Sequence, residues 1–200
     1  SGMHLHQSLL VDGEPVFHDP DAAGGLSKVG AQYLAGQLAH VRDCMVLFAP
    51  WVNSYKRLAT GFSAPRTVSW GVENRAALVR VPCARPRSAR EYRLELTAPD
   101  AACNPYLAIA AVLAAGFDGL DRRLEPPPPL EAAQGAHGPC TAALPETLGE
   151  AVRVAETSPF LRDLLGGPLF ARIRLDRRRH WREHNVRVHP YERDQLLEVT

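Results

Sequence analysis

The sequence predicts an α+β fold, and three observations carry that prediction. Residues 3–9 follow a period of two, with Met3, Leu5 and Leu9 on one face and His4, His6 and Ser8 on the other and only Gln7 breaking the apolar side, the pattern of a half-buried strand. Three further short strand patterns lie at 66–72, 76–81 and 91–97. Between and after them, apolar residues recur every three to four positions, which is the helical period. The opening stretch, Ser1-Gly2-Met3-His4-Leu5-His6-Gln7-Ser8, is the most informative of these. Extended backbone sends His4, His6 and Ser8 to one face and Met3, Leu5 and Leu9 to the other. Two imidazoles and a hydroxyl in a row can ligate a metal, bind phosphate or polarise a water. By themselves they need do none of these.

The remaining elements follow in order. Asp12-Gly13 between apolar residues is a hairpin signal. Ser27 caps a helix whose apolar positions are Leu34, Leu38, Val41 and Met45, with His40 and Arg42 placed to suit the negative pole and Pro50 to stop it. Residues 53–65 form a polar loop region. In the 91–97 strand, Tyr92, Leu94 and Leu96 share one face, while Arg93, Glu95 and Thr97 share the other. An Arg and a Glu so placed read either as a solvated pair or as a phosphate donor beside a metal carboxylate. Asn104-Pro105 starts a helix, and the Ala- and Leu-rich run 106–116 predicts that this helix is buried. The Pro- and Gly-rich residues 125–145 read as a surface loop, and the pattern from Leu148 onward is helical. The basic run 177–182 carries one Trp and reads as a solvated helix face ahead of a nucleic-acid arm.

Composition narrows the class. With 46% hydrophobic and 22% charged residues among 200, the chain suits one globular domain or a large part of a bigger one. A net charge of +1 gives no pull toward nucleic acid or a membrane surface. The longest apolar run, 108–117, is too short to span a bilayer. Cys44, Cys83, Cys103 and Cys140 are far apart with no C-x-x-C, so reduced thiols and a cytoplasmic location are expected. The chain starts on Ser1 inside a strand pattern, with neither cap nor leader before it. We expect a C-terminal piece of a longer protein, with an open sheet edge and poor solubility in isolation.

Gly2-Met3-His4-Leu5-His6-Gln7-Ser8 resembles the second half of the glutamine synthetase ATP-binding signature. The resemblance continues in order through Gly25-Leu26-Ser27, Asn53-Ser54-Tyr55-Lys56-Arg57-Leu58 and Asn74-Arg75-Ala76 with Arg80-Val81-Pro82. Arg93-Leu94-Glu95, Asn104-Pro105-Tyr106-Leu107-Ala108 and Ala115-Gly116-Phe117-Asp118-Gly119-Leu120 complete it. An ordered set of motifs over residues 1–120 is far more specific than any one of them. The resemblance implies a curved antiparallel sheet backed by helices and a helical C-terminal tail. It divides the chain into a sheet and core helices at 1–124, the Pro/Gly-rich loop at 125–145 and the tail at 146–200. The family's N-terminal β-grasp domain is absent from this chain.

The implied chemistry is a ligase reaction. ATP phosphorylates the γ-carboxylate of glutamate, and ammonia or a small amine displaces the phosphate, with Mg²⁺ or Mn²⁺ bridging phosphates. The resemblance makes His4 and Glu95 metal ligands. It sets His6, Ser8, Arg80 and Arg93 on ATP, with Arg90 as a further nucleotide contact across a loop two residues longer than the family's. Arg57 would hold the glutamate α-carboxylate, and Arg75 would both bind glutamate and face the transferred phosphoryl. Full-length homologues imply a homo-oligomer of stacked rings.

Three departures qualify this. Ser63 stands where glutamine synthetases place a flap Glu that helps deprotonate ammonium, which favours an amine other than ammonia, as in γ-glutamylpolyamine synthetase-like members. Thr97 replaces the last Arg of the Arg-x-Glu-x-Arg pattern that contacts the glutamate γ-carboxylate. The family's other metal carboxylates would lie upstream of Ser1. Glutamine synthetase proper and a non-catalytic family member or truncated remnant are the alternatives. The 125–145 loop also lacks the Tyr that some bacterial members adenylylate.

Overall fold

The computed structural model describes residues 2–58, 65–82, 88–131 and 142–197. Four strands make one sheet: β1 (Leu5–Gln7), β4 (Trp70–Val72), β5 (Val79–Val81) and β6 (Leu94–Leu96), in the order β1-β6-β5-β4. β2 (Leu10–Val11) and β3 (Glu14–Pro15) form a separate hairpin. Its turn puts both Asp12 (φ 52°) and Gly13 (φ 85°) in the left-handed region, the backbone that Asp-Gly supplies at the tip of a two-residue hairpin.

The α+β class and the helical backing match the expectation, but the sheet is mixed. β1 pairs antiparallel with β6, and β6 with β5, whereas β4 runs parallel to β5 in the register Trp70↔Val79. Adjacent parallel strands normally need a long crossover. Here the short return 73–78 turns at Glu73 (φ 54°) and is pinned by the Asn74 amide, which donates to the carbonyls of Leu130 (3.2 Å) and Glu131 (3.1 Å). Period-two patterning reports which face a residue takes and is silent on strand direction. The segment leading to Leu130 docks along β4: Leu130 N donates to Trp70 O (2.6 Å), Trp70 Nε1 donates to Pro127 O (2.6 Å), and Leu130 is buried. That part of the 125–145 stretch is therefore fixed against the sheet, and residues 132–141 lie outside the described residues.

Helix α1 (Lys28–Phe48) begins where Ser27 Oγ accepts from Gly30 N (3.0 Å). It lies against the inner face of the sheet. Gln7, on that face of β1, accepts from the Tyr33 hydroxyl (3.1 Å) and from Gln37 Nε2 (2.6 Å). α2 (Ser54–Leu58) follows, then α3 (Pro105–Asp121), whose Asn104 cap accepts from Tyr106 N (3.0 Å). α1 and α3 cross backbone to backbone. A Cβ on Gly36 would sit 2.0 Å from Ala115 O, and one on Gly119 would sit 2.2 Å from Gln32 O.

That crossing buries Ala108, Ala111, Val112 and Ala115 but leaves Tyr106, Ile109, Leu113 and Phe117 exposed. The expectation of a helix buried all round is thus corrected. α3 buries mainly its small residues, because only they allow so close an approach, and turns Tyr106, Ile109, Leu113 and Phe117 outward while Val112, Leu107 and Leu120 still face the core.

α4 (Leu148–Glu156) and α5 (Pro159–Asn185) close the core over the C-terminal half of α1, and α6 (Pro190–Leu197) ends the described chain. Thr147 caps α4 by accepting from Glu150 N (3.1 Å). Ser158 caps α5 by accepting from Leu161 N (3.1 Å), and its hydroxyl donates to Asp43 Oδ2 (2.6 Å), tying the start of α5 to α1. α5 breaks at Gly166 (φ 69°, ψ 159°), just before Pro168. Cys44 and Cys103 are free and buried, and no helix of the described residues is long and apolar enough to cross a membrane.

Candidate active site

The face of the sheet opposite α1 gathers the charged residues in one row. Register pairs His6 with Glu95 and Arg80 with Glu95, so His6, Glu95 and Arg80 stand side by side on β1, β6 and β5. Gly71 on β4 continues the row, and a Cβ there would meet Leu130 O at 2.5 Å. The alternation read from the sequence is what builds this face. His4, His6 and Ser8 are exposed, while Met3, Leu5 and Leu9 pack on the core.

Glu95 is the hub. It is 2% exposed, and both carboxylate oxygens are engaged. Arg80 reaches Oε2 through Nε (2.7 Å) and Nη2 (2.5 Å), a two-pronged pair, and His4 Nδ1 lies 2.7 Å from Oε1. His6 Nε2 stands 3.8 Å from the same oxygen. Burial alone would push the Glu95 carboxyl up, but the hydrogen bonds from Arg80 and His4 and the Arg80 charge outweigh it and hold it below the usual carboxylate range. The fork of Arg80 is the reason a carboxylate can stay ionised in so dry a place.

Arg57 joins the edge of this site. A Cβ on Gly2 would lie 3.0 Å from Arg57 Nη1 and 3.6 Å from His4 Nε2, so Gly2 is the thin spacer between them. Its guanidinium donates to the carbonyls of Thr97 (3.3 Å), Ala98 (2.5 Å) and Pro99 (3.2 Å). The sequence names Gly2 within the His motif but assigns it no role, and it gives no sign of this carbonyl cradle. A small residue immediately before the His strand was the one available signal for Gly2; nothing local marks the cradle, which only tertiary packing creates.

The other candidates are not drawn into the hub. Arg90 donates to Gly13 O (2.8 Å) at the hairpin tip. Arg93 is exposed and donates to Glu91 O (3.0 Å). Arg75 is exposed with no hydrogen bond or ion pair among the described residues, and Ser8 follows His6 on the open face. Ser63 lies outside the described residues. Thr97 is buried and donates its hydroxyl to Leu78 O (3.1 Å), so the position where the family pattern has an Arg is filled by a neutral, satisfied side chain.

The chain's match to known proteins agrees with the site. Residues 1–196 match the family model described as glutamine synthetase, catalytic domain. The chain belongs to the glutamine synthetase family. Among curated members it is 38% identical over 203 residues to the glutamine synthetase of Thermus thermophilus, covering 98% of this chain and 45% of that protein. It is 41% identical over 207 residues to that of Halobacterium salinarum, covering 99% and 44%. A solved structure described as apo GmaS without ligand superposes with a TM-score of 0.83 at 34% identity over 98% of this chain and 44% of that one. A GmaS/ADP complex gives 0.85 at 33% identity, covering 98% and 46%. This chain therefore spans just under half the length of the family members it matches.

A divalent ion is the family's implied cofactor, and the donors here fit it only in part. His4 and Glu95 offer one imidazole and one carboxylate, whereas Mg²⁺ or Mn²⁺ takes about six ligands, mostly oxygen. Among the described residues no three His, Cys, Asp or Glu side chains converge to hold a metal. Both Glu95 oxygens are already shared with Arg80 and His4, so these side chains supply at most an edge of a coordination shell.

Proposed function

We propose that the protein to which this chain belongs is an ATP-dependent glutamate–amine ligase, forming a γ-glutamyl amide through a γ-glutamyl phosphate. The observation that supports it is the row His6–Glu95–Arg80, flanked by His4 and Arg57, on one open face of a family-typical sheet. Phosphoryl transfer needs cations around the moving phosphate and a fixed geometry, and little else from the protein. His6, Ser8, Arg80 and Arg93 serve ATP, with Arg90 at its margin; His4 and Glu95 serve Mg²⁺ or Mn²⁺. Arg75 faces the transferred phosphoryl, and Arg57 holds the glutamate α-carboxylate. ADP in the related GmaS complex is consistent with the nucleotide assignment. The absence of the flap Glu at Ser63 favours an amine over ammonia, and the working form is a cytoplasmic homo-oligomer of stacked rings.

Buried Thr97, its hydroxyl committed to Leu78 O, supports a second reading: a family member that does not use glutamate, or does not catalyse at all. Phosphate release by the full-length protein with ATP, Mg²⁺ or Mn²⁺, glutamate and a panel of amines decides between them. Release with at least one amine above the ammonia rate is the expected result. Silence with every amine and with ammonia would sink the ligase reading, and equal rates with ammonia would remove the case from Ser63.

A further inference from the structure

A cavity of about 400 Å³ opens between the start of α2 and the end of α5. Trp51 and Lys56 line one side, and His180, His184, Arg187 and His189 the other. The histidines lie in two separate ring contacts. The His180 ring meets Trp51 edge-on at 4.9 Å, and the His184 and His189 rings lie 4.3 Å apart.

Two ring nitrogens in this cluster, His184 Nδ1 and His189 Nε2, are sealed from solvent and have no hydrogen-bond partner. An unpaired buried N–H is rarer and less tolerable than an unpaired lone pair. As neutral rings, both histidines therefore keep the sealed nitrogen bare and carry the proton on the other one. His184 Nε2–H and His189 Nδ1–H become donors on the open side. Lys56 and Arg187 add further donors that can accept nothing.

We propose that this cavity binds a small phosphate, free or as a monoester. Its lining sets Lys56, Arg187, the Asn53 amide and the two ring N–H groups among the apolar surface of Trp51 and Val52. Glu183 is the one carboxylate in that lining, and it lies 3.9 Å from Arg179 Nε, which takes up part of its charge. The α5 C-terminus carries a partial negative charge, and the two full cations Lys56 and Arg187 outweigh it. The remaining charged groups nearby are engaged elsewhere. Asp176 pairs with Arg177 and Arg179 and approaches His180 at 3.7 Å, and Glu192 accepts from the His189 backbone. A transition metal fits poorly, because the bare nitrogens are sealed inside and the open edges bear protons.

Long-range ¹H–¹⁵N spectra of the imidazoles, recorded on the intact protein at mildly alkaline pH, test this. The expected result is the Nε2–H tautomer for His184, the Nδ1–H tautomer for His189, and saturable shifts of both with low-millimolar inorganic phosphate. Lys56→Met and Arg187→Met change exposed side chains, and each should weaken binding roughly tenfold or more. A simple alkyl phosphate in a second arm separates the sources: tighter binding assigns a monoester, and equal binding assigns the free ion. The opposite tautomers, no saturable shift with either phosphate, or a response to Zn²⁺ alone would overturn the proposal.

Discussion

Replacing Arg80 by Met isolates the central interaction of the site, because it leaves a 2% exposed carboxylate with only His4 bonded to it and His6 3.8 Å away. Removing one partner of a buried pair typically costs about 3–5 kcal/mol. The Arg80 side chain is 21% exposed, so the lower end, about 3 kcal/mol, applies. For a chain of this size that lowers Tm by about 6–12 °C. The pH dependence is the sharper test. In the parent protein the Glu95 carboxyl is depressed, so its contribution is fully present above the unfolded value of about 4.3 and is lost as pH falls through the folded value. Without Arg80, burial dominates and the carboxyl rises above about 4.3. The penalty is then greatest near neutrality and fades as pH falls through the raised value. Scanning calorimetry of both proteins from about pH 7 down to about pH 4.5 should therefore show the Tm gap narrowing. Arg80→Met/Glu95→Gln should recover most of the loss at pH 7, since no charge is left stranded. A gap that stays constant or widens in acid, or a double variant no more stable than the single one, would refute this account of the hub.

Three further expectations concern the scaffold. Gly36→Ala puts a methyl 2.0 Å from Ala115 O, so α1 and α3 must separate; despite a helix-propensity gain of about 1 kcal/mol, we expect a net loss of about 1–3 kcal/mol by urea denaturation. A gain would mean that the crossing is looser than described. Ser158→Ala removes both the α5 cap and the tie to Asp43 and should lower stability by about 1–2 kcal/mol, with Ser158→Thr recovering part of it. Burial raises the Asp118 carboxyl, but hydrogen bonds from His40 and Arg122 more than offset this and hold it low. Asp118→Asn should therefore be less stable than the parent at neutral pH and lose that deficit as pH falls below about 4, measured as ΔTm against pH.

Local signals carried much of the fold. Ser27 and Asn104 accept a backbone N–H at a helix start as the sequence reads them, Thr147 and Ser158 do the same without being singled out there, and the Asp12-Gly13 turn has the backbone its residues favour. These features are decided within a few residues of chain, so a sequence can display them. Strand direction is not decided locally, which is why the parallel β4–β5 pair could not be read. Nor could the outward turn of Tyr106 and Phe117, because hydrophobicity alone does not reveal that α3 must present Ala and Gly to α1. His40 was read as a helix-end cation; it sits mid-helix instead and bonds Asp118 Oδ2 at 2.7 Å, a partner 78 positions away.

The site shows the same division and one consequence of it. A period of two was enough to put His4 and His6 on one face and Glu95 on the matching face of another strand, but only the register decides that they meet. Once they do, the unusual residue is Thr97 rather than either His. It lies two positions along β6 from Glu95, on the same side of the strand, and presents no cation there. Arg57 already engages its Nη donors with the carbonyls of residues 97–99, Thr97 among them, and only its buried Nε is left without a partner. Any γ-carboxylate bound beside Glu95 would face an anionic neighbour whose own charge is already matched by Arg80. A cation for that carboxylate is to be sought among residues the hub leaves uncommitted, and two described candidates are exposed Arg75, with no hydrogen bond or ion pair among the described residues, and exposed Arg93, which donates through Nε to Glu91 O.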